Sequence, residues 1–138
     1  MGRIISFFIP GNPKALQRHR QGKFCNYDPS APDKADFLSV AYKHRPDKPF
    51  SGPLKVNSVF TFQRPKNHFG TGKNANVLKA SAPYWKTSKG DLDNLLKFIG
   101  DALESVFWTN DSIICSGESK KIYGEVPGTQ IDIMELEG

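Results

Sequence analysis

The 138-residue chain predicts one α/β domain, of the α+β kind, in which two main helices pack on a mixed sheet. Three observations carry this. Residues 3–9 are an unbroken β-branched and aromatic run closed by Pro10. Residues 54–63 alternate apolar and polar side chains. Leu92, Leu95, Leu96, Ile99, Leu103 and Val106 recur at the three-and-four spacing of an amphipathic helix. Strand and helix patterns interleaved over a length that suits one core specify layers of both kinds, so residues 1–138 are expected to form a single domain.

Taken in order, Arg3 to Ile9 reads as a strand buried on both faces and central in the sheet. Residues 11–29 read as a loop and short hairpin turning at Gln21-Gly22, with Arg18, His19, Arg20 and Lys23 at its tip. Asp28-Pro29 offers an N-cap and a first-turn proline for a short helix bearing Phe37, Leu38, Ala41 and Tyr42. From Pro53, the residues Leu54, Val56, Ser58, Phe60 and Phe62 form the apolar face of a strand. Residues 64–90 have no sustained period and many Gly, Asn and Ser, which predicts a long, basic, mobile loop. Its GTGKNAN run lacks the spacing of a Walker phosphate loop. After the second helix, Ser112 to Tyr123 reads as a strand with Lys120 and Lys121 exposed. Val126-Pro127-Gly128 reads as a tight turn, and Thr129 to Leu136 as the partner strand.

The net charge of +5 hides a segregation. Residues 1–27 and 64–90 contain no acid, whereas residues 91–138 hold ten acids against Lys97, Lys120 and Lys121. Acid-free basic segments suit a polyanion, because Lys and Arg displace the counterions of a phosphate backbone. Arg18, Arg20, Lys23, Lys66, Lys73, Lys79, Lys86 and Lys89 are the candidate DNA contacts, with Phe69, Tyr84 and Trp85 placed to stack on exposed bases. Cys25 and Cys115 have no metal-ligand spacing, and no apolar run approaches membrane-spanning length. The expectation is an intracellular protein with reduced thiols and no membrane partner.

The chemistry concentrates in residues 86–112. Asp91 stands at the predicted helix start beside Gly90; Asp93, Lys97, Asp101 and Glu104 share one flank of the helix, and Asp111 follows a few residues beyond it. Helix capping and the helix dipole would account for Asp91 and Asp93, and turn geometry for Asp111. The other reading follows from the conflict between carboxylates and phosphodiesters, which a hard divalent cation resolves. Asp91, Asp93 and Asp111 form an oxygen ligand set for Mg²⁺, and Lys97 either neutralises charge on a transition-state phosphate or simply pairs with Asp93 or Asp101.

DLDNLLKFIGDAL followed by FWTNDSII resembles the signature of the RusA family of Holliday junction resolvases, small Mg²⁺-dependent endodeoxyribonucleases often encoded by phages and prophages. Asp91, Asp93, Asn94, Lys97, Asp101 and Asp111 occupy the matching places. Asn110 stands where the family usually carries the first of two adjacent aspartates, and Gly90 where a proline or basic residue is common. The resemblance implies that Asp91, Asp93 and Asp111 bind Mg²⁺, with Mn²⁺ able to substitute, that Lys97 is catalytic, and that Asn94, Asp101 and Asn110 lie around them. It implies a four-way DNA junction as substrate, cut on two opposed strands to leave 5′-phosphates in a bacterial host cytoplasm. One carboxylate cluster per chain then implies a two-fold homodimer. A nuclease for flaps or other branched DNA, a DNA-binding protein without catalysis, and an RNA-binding module are the rival readings.

Overall fold

The computed structural model of the chain describes residues 2–17, 20–21 and 26–137. Strand β1 (Ile4–Pro10), the short pair β2 (Arg20–Gln21) and β3 (Asn26–Tyr27), and helix α1 (Ala31–Ala41) are followed by β4 (Leu54–Gln63). After the basic segment come helix α2 (Leu92–Leu103), β5 (Ile114–Ser116), β6 (Ser119–Gly124) and β7 (Gly128–Glu135). The sheet is mixed. β7 runs antiparallel to both β1 and β4, and the opposite side of β4 pairs in parallel with β5 and then β6.

β4 is the middle of the molecule, and its alternation explains why. Leu54, Val56, Ser58 and Phe60 are buried towards one side, where Ile131 and Ile133 of β7, Phe7 and Ile9 of β1, and Leu95, Ile99 and Leu103 of α2 complete the core. Helix α2 presents the stripe expected from its spacing, with Phe98 and Ala102 added to it, while Leu96 remains partly exposed. Phe107 and Trp108, just beyond the helix, are wholly buried. Ser105 turns the chain at φ 72°, and Trp108 is held by backbone bonds from Ser105 N–H to its carbonyl at 2.7 Å and from Thr109 N–H to Phe50 O at 2.9 Å.

Four expectations need correction. β1 is an edge strand: Phe7 and Ile9 are buried, whereas Ile4 and Phe8 are exposed, because only one face of this continuous apolar run is covered. α1 starts after Ser30 with Pro32 in its first turn, since Asp28 is used in a turn, where its Oδ1 accepts from Ser30 N–H at 2.9 Å. The run 112–123 is two strands. Gly117 breaks it where the chain meets β4, and a Cβ there would fall 1.9 Å from Val56 O. β7 is no partner of β6: the turn at 125–127 carries the chain across the end of β4, which lies between them.

The basic segment is built from local turns. Two 3₁₀ turns (Lys66–His68 and Gly72–Asn74) are followed by Gly70 N–H to Val77 O at 3.0 Å and Lys79 N–H to His68 O at 2.9 Å. Residues 84–86 then lie along β6, with Tyr123 N–H donating to Tyr84 O at 2.9 Å and Lys86 N–H to Lys121 O at 3.2 Å. Among the described residues, no helix is long and apolar enough to cross a membrane.

Candidate active site

The start of α2 is fixed from below by a lysine. Lys121 projects from β6 on the same side as Phe60 and donates from Nζ to Gly90 O at 2.6 Å and Ser88 O at 3.0 Å. Gly90 has φ +102°, a conformation that favours glycine, and it delivers the chain directly into Asp91. Asp91 takes the N-cap position with extended backbone, yet its side chain makes no capping hydrogen bond. Asp91 therefore stands in the field of the helix dipole without a capping bond. Leu16 N–H donates to Asn94 O at 3.0 Å, which docks the N-terminal basic loop on the first turn of the helix.

Asp93 and Lys97 are both well exposed and stand one turn apart, with Oδ2 and Nζ 3.9 Å from each other. That contact is too long and too solvated to stabilise the helix much. Asp111 lies further along the same stripe. Its Oδ2 would be 3.6 Å from a Cβ placed on Gly100, so the bare backbone of α2 lets this carboxylate approach. Asp111 N–H donates to Glu104 Oε1 at 3.3 Å, and Asn110 Oδ1 caps the turn by accepting from Ser112 N–H at 2.8 Å. The Asp111 carboxylate itself has no hydrogen-bond or ion-pair partner among the described residues. Lys97 and Asp111 line one cavity of about 470 Å³ between α2 and strands β4 to β6.

The three aspartates thus share a flank without closing on one point. Seven residues separate Asp93 from Gly100, a rise of roughly 10 Å, and among the described residues no group of three His, Cys, Asp or Glu is gathered to hold a metal. As donors they suit a hard divalent ion, being oxygens with no other structural use. Mg²⁺ commonly takes only one or two carboxylates directly and keeps several waters.

The remaining predicted residues divide by their neighbours. Asp101 turns to α1, where Lys34 Nζ stands 3.6 Å away and also pairs with Asp28. Asn110 serves its turn, and Asn94 offers its backbone carbonyl to Leu16. Lys66, Lys73, Lys79 and Lys89 are exposed. Lys86 is turned inward, donating to Ser88 Oγ at 2.7 Å with its Nζ 4.8 Å from the Phe62 ring centre. Arg18, His19, Lys23 and Cys25 lie outside the described residues; for Arg20 the backbone pairing with Tyr27 is described. Lys121 was missed as a site residue, although a signal existed: successive strand residues face opposite sides, so two adjacent lysines could not both point to solvent.

A family model described as Endodeoxyribonuclease RusA matches residues 10–134. The chain is 30% identical over 139 residues to an uncharacterised protein, YqaN, of Bacillus subtilis strain 168, with 96% of each chain covered. It is 29% identical over 119 residues to a crossover junction endodeoxyribonuclease, rusA, of Lactococcus phage r1t, covering 84% of this chain and 82% of that one.

Proposed function

Since the chain belongs to the RusA endodeoxyribonuclease family and is a nuclease, we propose that it resolves four-way DNA junctions by cutting two opposed strands with a divalent metal, Mg²⁺ by preference. The observation that carries this reading is the idleness of the acids: Asp91 occupies a cap position without capping, and the Asp111 carboxylate rests on Gly100 without a partner. The helix dipole accounts for a negative charge at Asp91 and Asp93, but not for Asp111, which lies beyond the helix without an ion pair among the described residues, and this argues against the reading in which the acids merely cap a helix.

In this proposal Asp91, Asp93 and Asp111 would hold the ion between them, one or two of the carboxylates directly and the rest through its waters. When bound, it supplies a polarised phosphoryl oxygen and a bound water of lowered pKa. Lys97, one turn from Asp93 and on the wall shared with Asp111, sits where it can meet the negative charge of the scissile phosphate. Lys121 holds the Gly90 carbonyl and so fixes the direction in which Asp91 leaves the loop. The exposed Lys66, Lys73, Lys79 and Lys89 grip the phosphate backbone. One such site per chain supports a two-fold dimer for paired cuts, with the single domain spanning the whole chain.

The test is cleavage of a synthetic four-way junction, a flap and a linear duplex of the same sequence, with Mg²⁺ and with chelator. Paired, symmetric nicks confined to the junction and to the metal-containing reaction are expected. Equal cutting of all three substrates, or cutting that survives chelation, would refute the proposal.

A further inference from the structure

The outer edge of β1 is unpaired, and it matches itself. In the register that sets Ile4 against Met134 and Pro10 against Gly128, Arg3 lies opposite Glu135 and Gly11 opposite Pro127. Both of those pairs are bonded, Glu135 N–H to Arg3 O and Gly11 N–H to Pro127 O, each at 3.0 Å. Bonded and unbonded pairs alternate along an antiparallel ladder. Ile5, Phe7 and Ile9 therefore turn their amide groups to β7, while those of Ile4, Ser6 and Phe8 point out of the sheet, where among the described residues they meet no partner. The side chains of the same three residues stand on the face opposite buried Phe7 and Ile9. Ile4 is 69% and Phe8 38% exposed, with exposed Ser6 between them. Edge strands are usually guarded by charge, by a bulge or by brevity. Ile4 to Ile9 holds no charge, and its ladder to β7 is unbroken.

We propose that a second copy of this chain docks on this edge, β1 antiparallel to β1 about a two-fold axis at Ser6, a reading that rests on the paired cutting above for its need of a dimer. Symmetry selects the occupant. An isologous contact must read the same from both sides, and here Ser6 meets the partner's Ser6 while Ile4 meets the partner's Phe8. Each such pair exchanges two backbone hydrogen bonds. On the open face the Ile4 side chain comes within about 5 Å of the partner's Phe8, so the two shield each other from water. A slip of two residues would set Ile4 or Phe8 against serine instead. Opposed side chains in a ladder share a face, so the axis stands perpendicular to the sheet and the helices of both copies lie on one side of it. Strand β6, which borders the site, is the third strand in from β1. At about 4.8 Å per strand the two sites stand roughly 30 Å apart across the seam. Both face the same side, as cutting opposed strands of one junction requires.

The test uses the full chain carrying Cys25→Ser and Cys115→Ser, so that only an introduced thiol can report. Ser6→Cys puts two thiols at the axis with Cα atoms about 5.5 Å apart, within reach of a disulfide, and mild oxidation should cross-link most of it. Ile4→Cys and Phe8→Cys should each cross-link poorly alone and well when mixed. Ser6→Pro removes an N–H that β7 does not use, and proline is tolerated at an edge. It should keep the parent's circular dichroism and raise the dimer dissociation constant, read by sedimentation, by about 30-fold or more. Should that variant unfold, Ile4→Lys with Phe8→Lys changes only exposed side chains and should separate the copies, whereas Ile4→Lys with Phe8→Glu should rejoin them. A parent that sediments as a monomer, or a dimer that cross-links through Ser6→Cys no better than through Ile4→Cys alone, would overturn the β1 pairing. Paired cuts by such a protein would leave the nuclease reading standing. A dimer joined at Ser6→Cys whose parent never cuts a junction would uphold the pairing and refute that reading.

Discussion

Asp101 and Asp93 sit on one helix, two turns apart, and differ in everything but chemistry. Asp101 faces α1 and shares Lys34 with Asp28, so its charge ties two helices together. Asp93 faces outward, has Lys97 at 3.9 Å as its ion-pair partner among the described residues, and lies on the stripe that ends at Asp111. The same contrast separates Asn110, spent on capping its own turn, from Asp111 beside it. Residue type and helical position do not tell a structural carboxylate from an available one; the neighbouring element does.

That contrast can be broken by substitution. Asp93→Asn should reduce junction cleavage by at least about 100-fold with binding and melting temperature nearly unchanged, whereas Asp101→Asn should keep its cutting. Comparable losses in both variants would erase the distinction. Lys121→Ala should raise the metal concentration needed for half-maximal cleavage by about 10-fold or more, leave junction affinity intact, and be partly restored by Lys121→Arg. A metal response like the parent's would mean that the clamp on Gly90 is merely structural. Replacing Lys73 and Lys79 together with alanine should weaken binding to all DNA sequences alike and make its salt slope shallower by about one to two units. Lys34→Met should cost about 1–2 kcal/mol of stability, read by urea unfolding, because it leaves Asp28 and Asp101 without their shared cation, and should not alter the rate per folded molecule.

The smallest effect lies at the end of the sheet. A hydrogen bond from the Arg3 guanidinium, 2.8 Å away, holds the Glu135 carboxyl below its ordinary range. A lowered folded-state pKa contributes stability above the unfolded value and loses it as pH falls through the folded one. Glu135→Gln should therefore be slightly less stable than the parent at neutral pH, by little since the pair is exposed, and the two should converge as pH falls below the ordinary carboxylate range.

Much of the frame was legible because it is periodic. The alternation from Leu54 and the three-and-four spacing from Leu92 located β4 and the start of α2, while the spacing overran the helix end by three residues, since Val106 lies beyond the turn at Ser105. What failed was non-local. Val126-Pro127-Gly128 looks like any hairpin turn, and nothing in it discloses that β4 enters between the strands it joins. The run at residues 4–9 is apolar but for Ser6, and that one polar residue, on the side of Ile4 and Phe8, is too slight a signal for the uncovered face. The 64–90 segment hides its order in 3₁₀ turns and single bridges, which have no period to detect. At the site, Asp91, Asp93 and Lys97 were visible as a motif. The seat of Asp111 on Gly100 depends on packing between elements distant in sequence.

The placing of β7 also bears on the order in which the fold can close. Among the described residues this late strand is the one neighbour of β1 in the main sheet, and it closes one side of β4. A chain emerging from the ribosome without it has no partner for its first strand and an open edge at its middle, so α2 has no finished floor. Pairings that span nearly the whole chain form slowly. The floor on which α2 and its acids rest is thus completed only when β7 has paired on both sides.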